Sequence, residues 1–437
     1  MHLSRYLKHY PSENDPGSLI LFSTWHLSKI QIKKNTFKAI ERGEISPENQ
    51  ELLAGLGMLI PDREEEKRSV LTLLDRINKY SPGMDFIAVM NLDCNFACKY
   101  CFEGGLKGSL YMSKETADQL ITFIKERFTD NKNTLLVDFY GGEPLLSLDL
   151  IKYISRELKH FTEERGASYG FSLVTNGALF KRKTAEELAG LGLKNVKITI
   201  DGPAEIHNRN RPFKSGTPSF DTLINNIKDT HDIVKINLGG NFEPDNYRYF
   251  PLLLDFLEGQ GLRPENLGMI KFDPVAKRSE RVMNPTDYRG GCISLDEPWL
   301  LDATEVLREE ILRRGYKTPN ISHKLCMVES RHSYVVNYDG ALYKCPGFIG
   351  MEEFKCGDIK EGIADYAGSH NLGIWKNEEC TDCVYLPLCY GGCRYMTFLR
   401  DGNVKTLDCQ REYLDSTLEE MIKQEIRYGL KVEAQQD

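Results

Sequence analysis

No cysteine occurs before Cys94, although the 437-residue chain holds twelve. Three lie between Cys94 and Cys101 and nine between Cys292 and Cys409. The split reads as one site plus a separate cysteine-rich module. The opening Met1-His-Leu-Ser-Arg-Tyr-Leu7 lacks the apolar segment of a signal peptide, and without one the cysteines are expected to serve metals rather than disulfides. No apolar run approaches the ~18 residues a membrane helix needs. Positive charge is not in excess either. The net charge of −8 indicates no nucleic-acid-binding surface. What is present, 41% hydrophobic and 27% charged residues, fits a globular chain of two to three domains.

Residues 1–82 read as a small independent domain. Leu19–Trp25 and Ile30–Lys33 look like a hairpin. Thr36–Arg42 reads as a short helix, and Ser46-Pro47 caps and opens another, with Leu52, Leu53 and Leu56 on its apolar face. Met58–Ile60 returns as a strand. Asp62–Arg68 and a helix over Val70–Lys79 read as solvated linker structure. From Phe86 the chain alternates strand and helix. Expected strands are Phe86–Asn91, Leu135–Tyr140, Gly170–Thr175, Asn195–Ile200, Val234–Leu238 and Gly268–Phe272. Expected helices are Lys114–Phe128, Leu148–Arg165, Lys181–Leu191, Phe220–Asp232, Tyr247–Gln260 and Glu297–Arg314. Such alternation predicts parallel strands with right-handed crossovers, an α/β partial barrel two units short of eight, with an open side for a large substrate.

The stretch Asn91–Gly105 holds Cys94, Cys98 and Cys101 in the spacing C-x3-C-x2-C. Three thiolates on one loop can grip three irons of a [4Fe–4S] cube and leave the fourth iron open. Zinc is the alternative, but a structural zinc site wants four ligands. After the second strand comes Gly141-Gly-Glu-Pro144, where two glycines let backbone approach a ligand closely. The third strand ends Phe171-Ser-Leu-Val-Thr-Asn-Gly177. The fourth runs into Asp201-Gly-Pro203, then His207 and Arg211. His207 reads as a surface histidine on a loop, and Arg211 as a group that holds a carboxylate. Downstream, Cys326 and Cys345 flank a hairpin over Val335–Tyr343 that turns at Asp339-Gly340. Cys380, Cys383, Cys389, Cys393 and Cys409 follow. A helix over Tyr413–Tyr428 reads as core packing, and the tail from Lys431 as frayed.

These motifs resemble the radical S-adenosylmethionine (SAM) family, and the downstream spacing resembles its SPASM twin-cluster module. The resemblance implies a (β/α)6 partial TIM barrel over residues 83–290, a SPASM domain over 291–421, a tail over 422–437, and a winged-helix-like leader-recognition domain over 1–82. It implies three [4Fe–4S] clusters. Cys94, Cys98 and Cys101 would hold the first. Cys326, Cys345 and Cys393, with Cys356 or Cys292 as an open fourth choice, would hold an inner auxiliary cluster. Cys380, Cys383, Cys389 and Cys409 would hold the outer one. SAM contacts are implied for Gly141, Gly142, Glu143, Pro144, Ser172, Thr175, Asn176, Asp201 and Arg211. With His2–Leu7, Ile60–Arg63 and Phe102–Gly104, nearly the whole chain resembles the geopeptide-type radical SAM/SPASM maturases. The resemblance therefore implies a cytoplasmic enzyme of an anaerobic bacterium acting on a ribosomal precursor peptide. A flavodoxin or ferredoxin would reduce it, and neither nucleic acid nor membrane would be a partner. A 5′-deoxyadenosyl radical would remove a substrate hydrogen, with an oxidative thioether crosslink as the favoured outcome. Peptide epimerisation, formylglycine formation of the sulfatase-maturing type, and a non-enzymatic iron–sulfur electron carrier are the alternatives.

Overall fold

Alternation along one strand shows how the core is built. In Thr134–Gly141, Leu135, Val137 and Phe139 are buried, whereas Leu136 is 42% exposed. The buried set faces a layer of helices and the other set faces an open lumen. The computed structural model describes residues 1–101, 103–129, 131–275 and 298–429. Six strands lie side by side in chain order, all parallel: Gly83–Asn91, Thr134–Gly141, Ser168–Thr175, Leu193–Thr199, Lys235–Phe242 and Ile270–Pro274. Helices Lys114–Arg127, Leu148–Glu163, Arg182–Gly190, Phe220–Thr230 and Phe250–Gly259 connect them. Leu148–Glu163 buries Ile151, Ile154, Leu158 and Phe161, one apolar stripe at helical spacing. Each such side chain contributes roughly 1.5–3 kcal/mol. The fold is thus α/β, a curled and mostly parallel sheet of six βα units. Its strands end, at the C-terminal edge, on the loops that carry the chemistry.

The sheet does not stop at the barrel. Ser333–Val336 pairs in parallel with Gly83–Asn91, and Ala341–Tyr343, Gly357–Asp358 and Gly362–Ile363 continue it antiparallel. The expected hairpin turning at Gly340 is present, but its first strand also covers the free edge of the first barrel strand. An uncovered edge there would expose a row of unpaired backbone groups. The downstream cysteines are thereby held against the barrel by continuous strand pairing.

The N-terminal region departs from its sequence reading in two respects. The hairpin Ser18–Ser23 with Lys29–Lys33 is joined by a third strand, Leu7–Pro11, and His2–Leu3 pairs with Leu59–Ile60. Leu7-Lys-His-Tyr-Pro11 hides this strand from the sequence, because only Tyr10 in it is buried. The stretch read as solvated linker is one helix, Arg63–Tyr80, capped by Asp62. It is not solvated throughout. Glu66 is buried and accepts from the backbone N–H of Arg5 at 3.0 Å and from the Ser4 hydroxyl. Val70 and Leu74 pack with Trp375, Leu386 and Tyr390 of the cysteine-rich region. The Ser46 cap is as expected, accepting from the backbone N–H of Asn49 at 3.3 Å.

At the other end the helix Arg411–Arg427 runs without a break through position 422. Ile422 and Glu425 are buried, and Glu425 pairs with Arg308 at 3.2 Å and Lys29 at 2.7 Å. A separate tail starting at residue 422 is therefore not what the chain forms. Residues from 430 onward lie outside the described residues, as do Glu297 and Cys292. Among the described residues, no helix is long and apolar enough to cross a membrane.

Candidate active site and cluster sites

The second strand ends directly over the three-cysteine loop. A Cβ on Gly141 would meet the carbonyl oxygen of Asn91 at 2.2 Å, and one on Gly142 that of Asp93 at 2.1 Å. Gly141 also has φ +130°. Only glycine fits either place. The close approach they permit is to the backbone of the cysteine loop. There Gly142 N–H donates to Asn91 O at 3.0 Å and Glu143 N–H to Asp93 O at 2.7 Å.

Glu143 faces inward rather than into the cavity. Its carboxylate accepts from Thr175 Oγ1 at 2.7 Å, the Asn176 backbone N–H at 2.8 Å and the Leu145 backbone N–H at 3.0 Å. Burial pushes its carboxyl up, opposed by those hydrogen bonds. Glu143 thus ties the second strand end to the third. Pro144 opens a short 3-10 turn ahead of Leu148–Glu163.

One cavity of about 400 Å3 opens at this end of the barrel. Cys94, Cys98 and Cys101 all line it, together with Gly141, Gly142, Thr175, Asn176 and Arg211. Asn176 Nδ2 points at Cys94 Sγ, 3.8 Å away, and donates to Asn95 Oδ1 at 2.7 Å. Ser172 does not line the cavity. It sits lower on the lumen face, where its hydroxyl donates to Asp138. Glu143, Pro144 and Asp201 are likewise not among its walls.

Asp201 belongs to a buried cluster under the cavity floor. It accepts from the Tyr100 hydroxyl and from the Asn241 backbone N–H at 2.8 Å. The same Tyr100 oxygen accepts from Arg211 Nη1 at 2.7 Å and Asn241 Nδ2 at 3.0 Å. The tyrosine of the cysteine loop is thereby anchored to the ends of the fourth and fifth strands.

His207 is not a surface group. It lies on a short helix, Ala204–Asn210, and is fully buried. Its Nδ1 accepts from the Asp201 backbone N–H at 3.2 Å and its Nε2 meets Ser219 Oγ at 3.1 Å. Burial, and then the Arg211 charge, push the ring down to about 3. The unfolded chain takes up this proton below about 6.5, so the stabilisation is complete above that pH and is lost as pH falls toward 3. At pH 5 the loss amounts to about 2 kcal/mol. The Tm advantage of the wild type over His207→Gln should therefore shrink between pH 7 and pH 5, as read by differential scanning calorimetry.

Two further cavities carry the downstream thiols. Cys380, Cys383, Cys389 and Cys409 ring one of about 180 Å3. Cys326 and Cys393 line another of about 170 Å3, with Asp408, Lys324 and Cys389, which borders both. Cys345 lies within electrostatic reach of both Cys326 and Cys393. Cys356 is fully buried, and its thiol and that of Cys326 both lie within electrostatic reach of the Lys344 ammonium.

The donor sets suit iron–sulfur cubes. Each is all-thiol, and burial pushes Cys94 and Cys389 up to about 11, a cost that cationic iron would offset. Arg211 suits a carboxylate, since its Nε is buried without a hydrogen-bond partner among the described residues. Beside the turn that joins Cys389 to Cys393 lies a buried ion pair, Arg394 with Glu329 at 2.7 Å. Arg394 also donates to the carbonyls of Gly391 and Gly392, and Glu329 accepts from the Gly373 N–H, so this pair fixes the turn between Cys389 and Cys393.

A three-thiol loop at the mouth of a six-strand parallel barrel, facing a glycine-walled cavity, matches the arrangement of the radical SAM enzymes, a superfamily that works with a [4Fe–4S] cluster and SAM. Residues 89–257 match the Radical SAM superfamily. The chain is 24% identical over 383 residues to the radical SAM cyclopropyl synthase TigE of Paramaledivibacter caminithermalis, covering 79% of this chain and 74% of that one. It is 26% identical over 336 residues to a cysteine-type anaerobic sulfatase-maturating enzyme of Clostridium novyi, covering 69% and 85%. Among solved structures, native anSMEcpe with bound AdoMet and Kp18Cys peptide superposes with TM-score 0.63 at 18% identity, covering 79% and 98%. Streptococcus suis SuiB bound to precursor peptide SuiA superposes with TM-score 0.54 at 16% identity, covering 93% and 98%. The chain resembles the radical SAM peptide maturases with SPASM-like modules, and the electron-carrier alternative is set aside.

Proposed function

We propose that this enzyme modifies a ribosomally made precursor peptide, and that the modification is an oxidative crosslink, with a thioether favoured. The observation that carries the reading is the shared cavity. Its walls come from the three-cysteine loop and also from Tyr395, two residues past Cys393 in the cysteine-rich region. A substrate in it touches both. Cys94, Cys98 and Cys101 hold the first cluster and leave one iron for SAM. The Gly141-Gly142 backbone, Thr175 and Asn176 border the SAM place, and Arg211 takes its carboxylate. When bound, cluster and SAM together supply a 5′-deoxyadenosyl radical that removes a substrate hydrogen. Cys326, Cys345 and Cys393, with Cys356 or Cys292 as the candidate fourth ligand, would hold an inner auxiliary cluster, which would supply a one-electron acceptor and, where no fourth thiolate binds, a place for a substrate thiolate. Cys380, Cys383, Cys389 and Cys409 hold an outer cluster, making three in all. A thioether would form from one C–H and one S–H: the carbon's hydrogen goes to the 5′-deoxyadenosyl radical, the thiol hydrogen leaves as a proton, and an auxiliary cluster would take the one electron left over.

Residues 1–82 act as a winged-helix-like recognition unit. Lys29–Lys33 is an edge strand of its sheet, the position at which a leader peptide adds as a further strand. SuiB was solved with its precursor peptide, which supports the same partner here. A flavodoxin or ferredoxin supplies the reducing electron. Formylglycine formation is the second reading, favoured by the sulfatase-maturating relatives. Tandem mass spectrometry of a co-expressed candidate precursor tests both. A crosslink removes two hydrogens and links two residues. Formylglycine removes the cysteine sulfur. An unchanged mass with deuterium gained from solvent means epimerisation and overturns the crosslink.

A further inference from the structure

Glu103 has no place in the motifs that bind cluster or SAM, yet it is buried in the wall of the cavity. It is 3% exposed, and its Oε1 has no hydrogen-bond partner among the described residues. A buried carboxylate oxygen with no donor costs about 1–3 kcal/mol unless a ligand supplies the missing one. Tyr140 lines the same cavity, and its hydroxyl lies within electrostatic reach of Glu103, Cys101, Cys345 and Tyr395. Both side chains thus line the cavity of the three-cysteine loop, and Tyr140 packs against the apolar cluster that Cys345, Cys393 and Tyr395 also touch, so a substrate residue seated in the cavity meets them.

An acceptor with no donor, on the same wall as a hydroxyl, is the complement of a peptide amide, which offers N–H and C=O together. We propose that Glu103 and Tyr140 clamp the backbone amide of the residue that loses its hydrogen: the Glu103 carboxylate accepts the amide N–H, and the Tyr140 hydroxyl donates to the carbonyl. The clamp rests on the peptide-modifying reading given above and names the substrate group that this wall recognises. Glu103 is a positioning contact in it and moves no proton. Lys107, its charged neighbour, donates to the Phe96 carbonyl at 3.3 Å and keeps the loop in shape.

The test uses the full-length, cluster-loaded enzyme with SAM and the precursor peptide, comparing wild type with Glu103→Gln, Glu103→Leu and Tyr140→Phe. Each reaction is read as 5′-deoxyadenosine formed per modified peptide, and separately as the change in the electron paramagnetic resonance spectrum of the reduced cluster on adding SAM. A lost hydrogen bond to a charged group is worth roughly 1.5–3 kcal/mol, about ten- to a hundredfold. Glu103→Leu and Tyr140→Phe should raise the ratio of 5′-deoxyadenosine to product at least about tenfold, and Glu103→Gln, which keeps an acceptor oxygen, by about threefold or less. The SAM-dependent spectrum should stay as in the wild type. If Glu103→Gln is as impaired as Glu103→Leu, the group is a proton acceptor and the clamp is wrong. A lost spectral response to SAM in Tyr140→Phe would make this wall part of the SAM site, and unchanged coupling in that variant sinks the clamp even where Glu103→Leu fails to load its cluster. Failure of the wild type to modify the peptide at all overturns the proposed function instead, which separates the two outcomes.

Discussion

Replacing Cys94, Cys98 and Cys101 together by alanine is expected to abolish 5′-deoxyadenosine formation while about eight of about twelve irons stay bound. The independence of the sites follows from the structure. The three loop thiols line the barrel cavity, whereas the seven assigned downstream thiols lie in the region held by its own helices and by the Arg394–Glu329 pair. The converse replacement of Cys380, Cys383, Cys389 and Cys409 should also cost about four irons. It should leave SAM cleavage measurable and product lost, because the outer ring touches no wall of the barrel cavity. Iron and sulfide analysis with chromatography of 5′-deoxyadenosine reads both. Release of all iron by the first replacement would mean that the sites fold as one unit, and continued SAM cleavage would remove the loop from the chemistry.

The barrel was legible because its signal is periodic. Thr134–Gly141 and its neighbours alternate or run apolar at strand length, and the helices between them carry complete apolar stripes, so every unit is found within a few residues. The cysteine loop was legible because spacing on one short segment is itself geometry. What sequence reading missed is long-range. Nothing within Ser333–Val336 says that it pairs with the first barrel strand, since the four residues are buried on both faces and fit any central strand. His207 looked like a loop residue because the helix that carries it is only seven residues long, and the partners that bury it, Asp201 and Ser219, lie six and twelve residues away. The role of Gly141 and Gly142 was half legible: their spacing announced a close approach, but only the fold shows that the approached group is backbone at Asn91 and Asp93. Glu103 carried no signal except its nearness to Cys101. It shares the cavity wall with Tyr140, which lies on the second barrel strand. The helix Arg63–Tyr80 was read as linker because of its charge, and three consecutive glutamates do look solvated. Glu66 is drawn inside only because Ser4 and Arg5 offer donors there.

Removing residues 1–80 is expected to take the outer cluster with it, because this region is packed into the cysteine-rich module rather than tethered beside it. Tyr10, Ile20 and Phe22 share a core with Tyr385, Leu388, Leu418 and Ile422, and Tyr6, Val70 and Leu74 share another with Trp375, Leu386 and Tyr390. At roughly 1.5–3 kcal/mol for each large apolar side chain, losing these faces exceeds the total stability of most domains. The polar contacts fall on the ligand segment itself. Asp382, between Cys380 and Cys383, takes ion pairs from Arg5 and from Lys67 at 2.6 Å, and the carbonyl of Val384 accepts from Thr24 at 2.6 Å. These exposed pairs contribute little energy, but they fix where the Cys380–Cys383 turn sits. The truncated protein should bind about four fewer irons and aggregate, as read by iron analysis and size-exclusion chromatography. Full iron retention in a monomeric truncated protein would show that the N-terminal unit is dispensable for the fold. Capture of a leader peptide therefore has to be read in the intact chain. Amide hydrogen exchange at Lys29–Lys33 should slow when the leader is added, since a new strand covers that edge. Exchange that stays unchanged there while the peptide is bound would place the leader elsewhere.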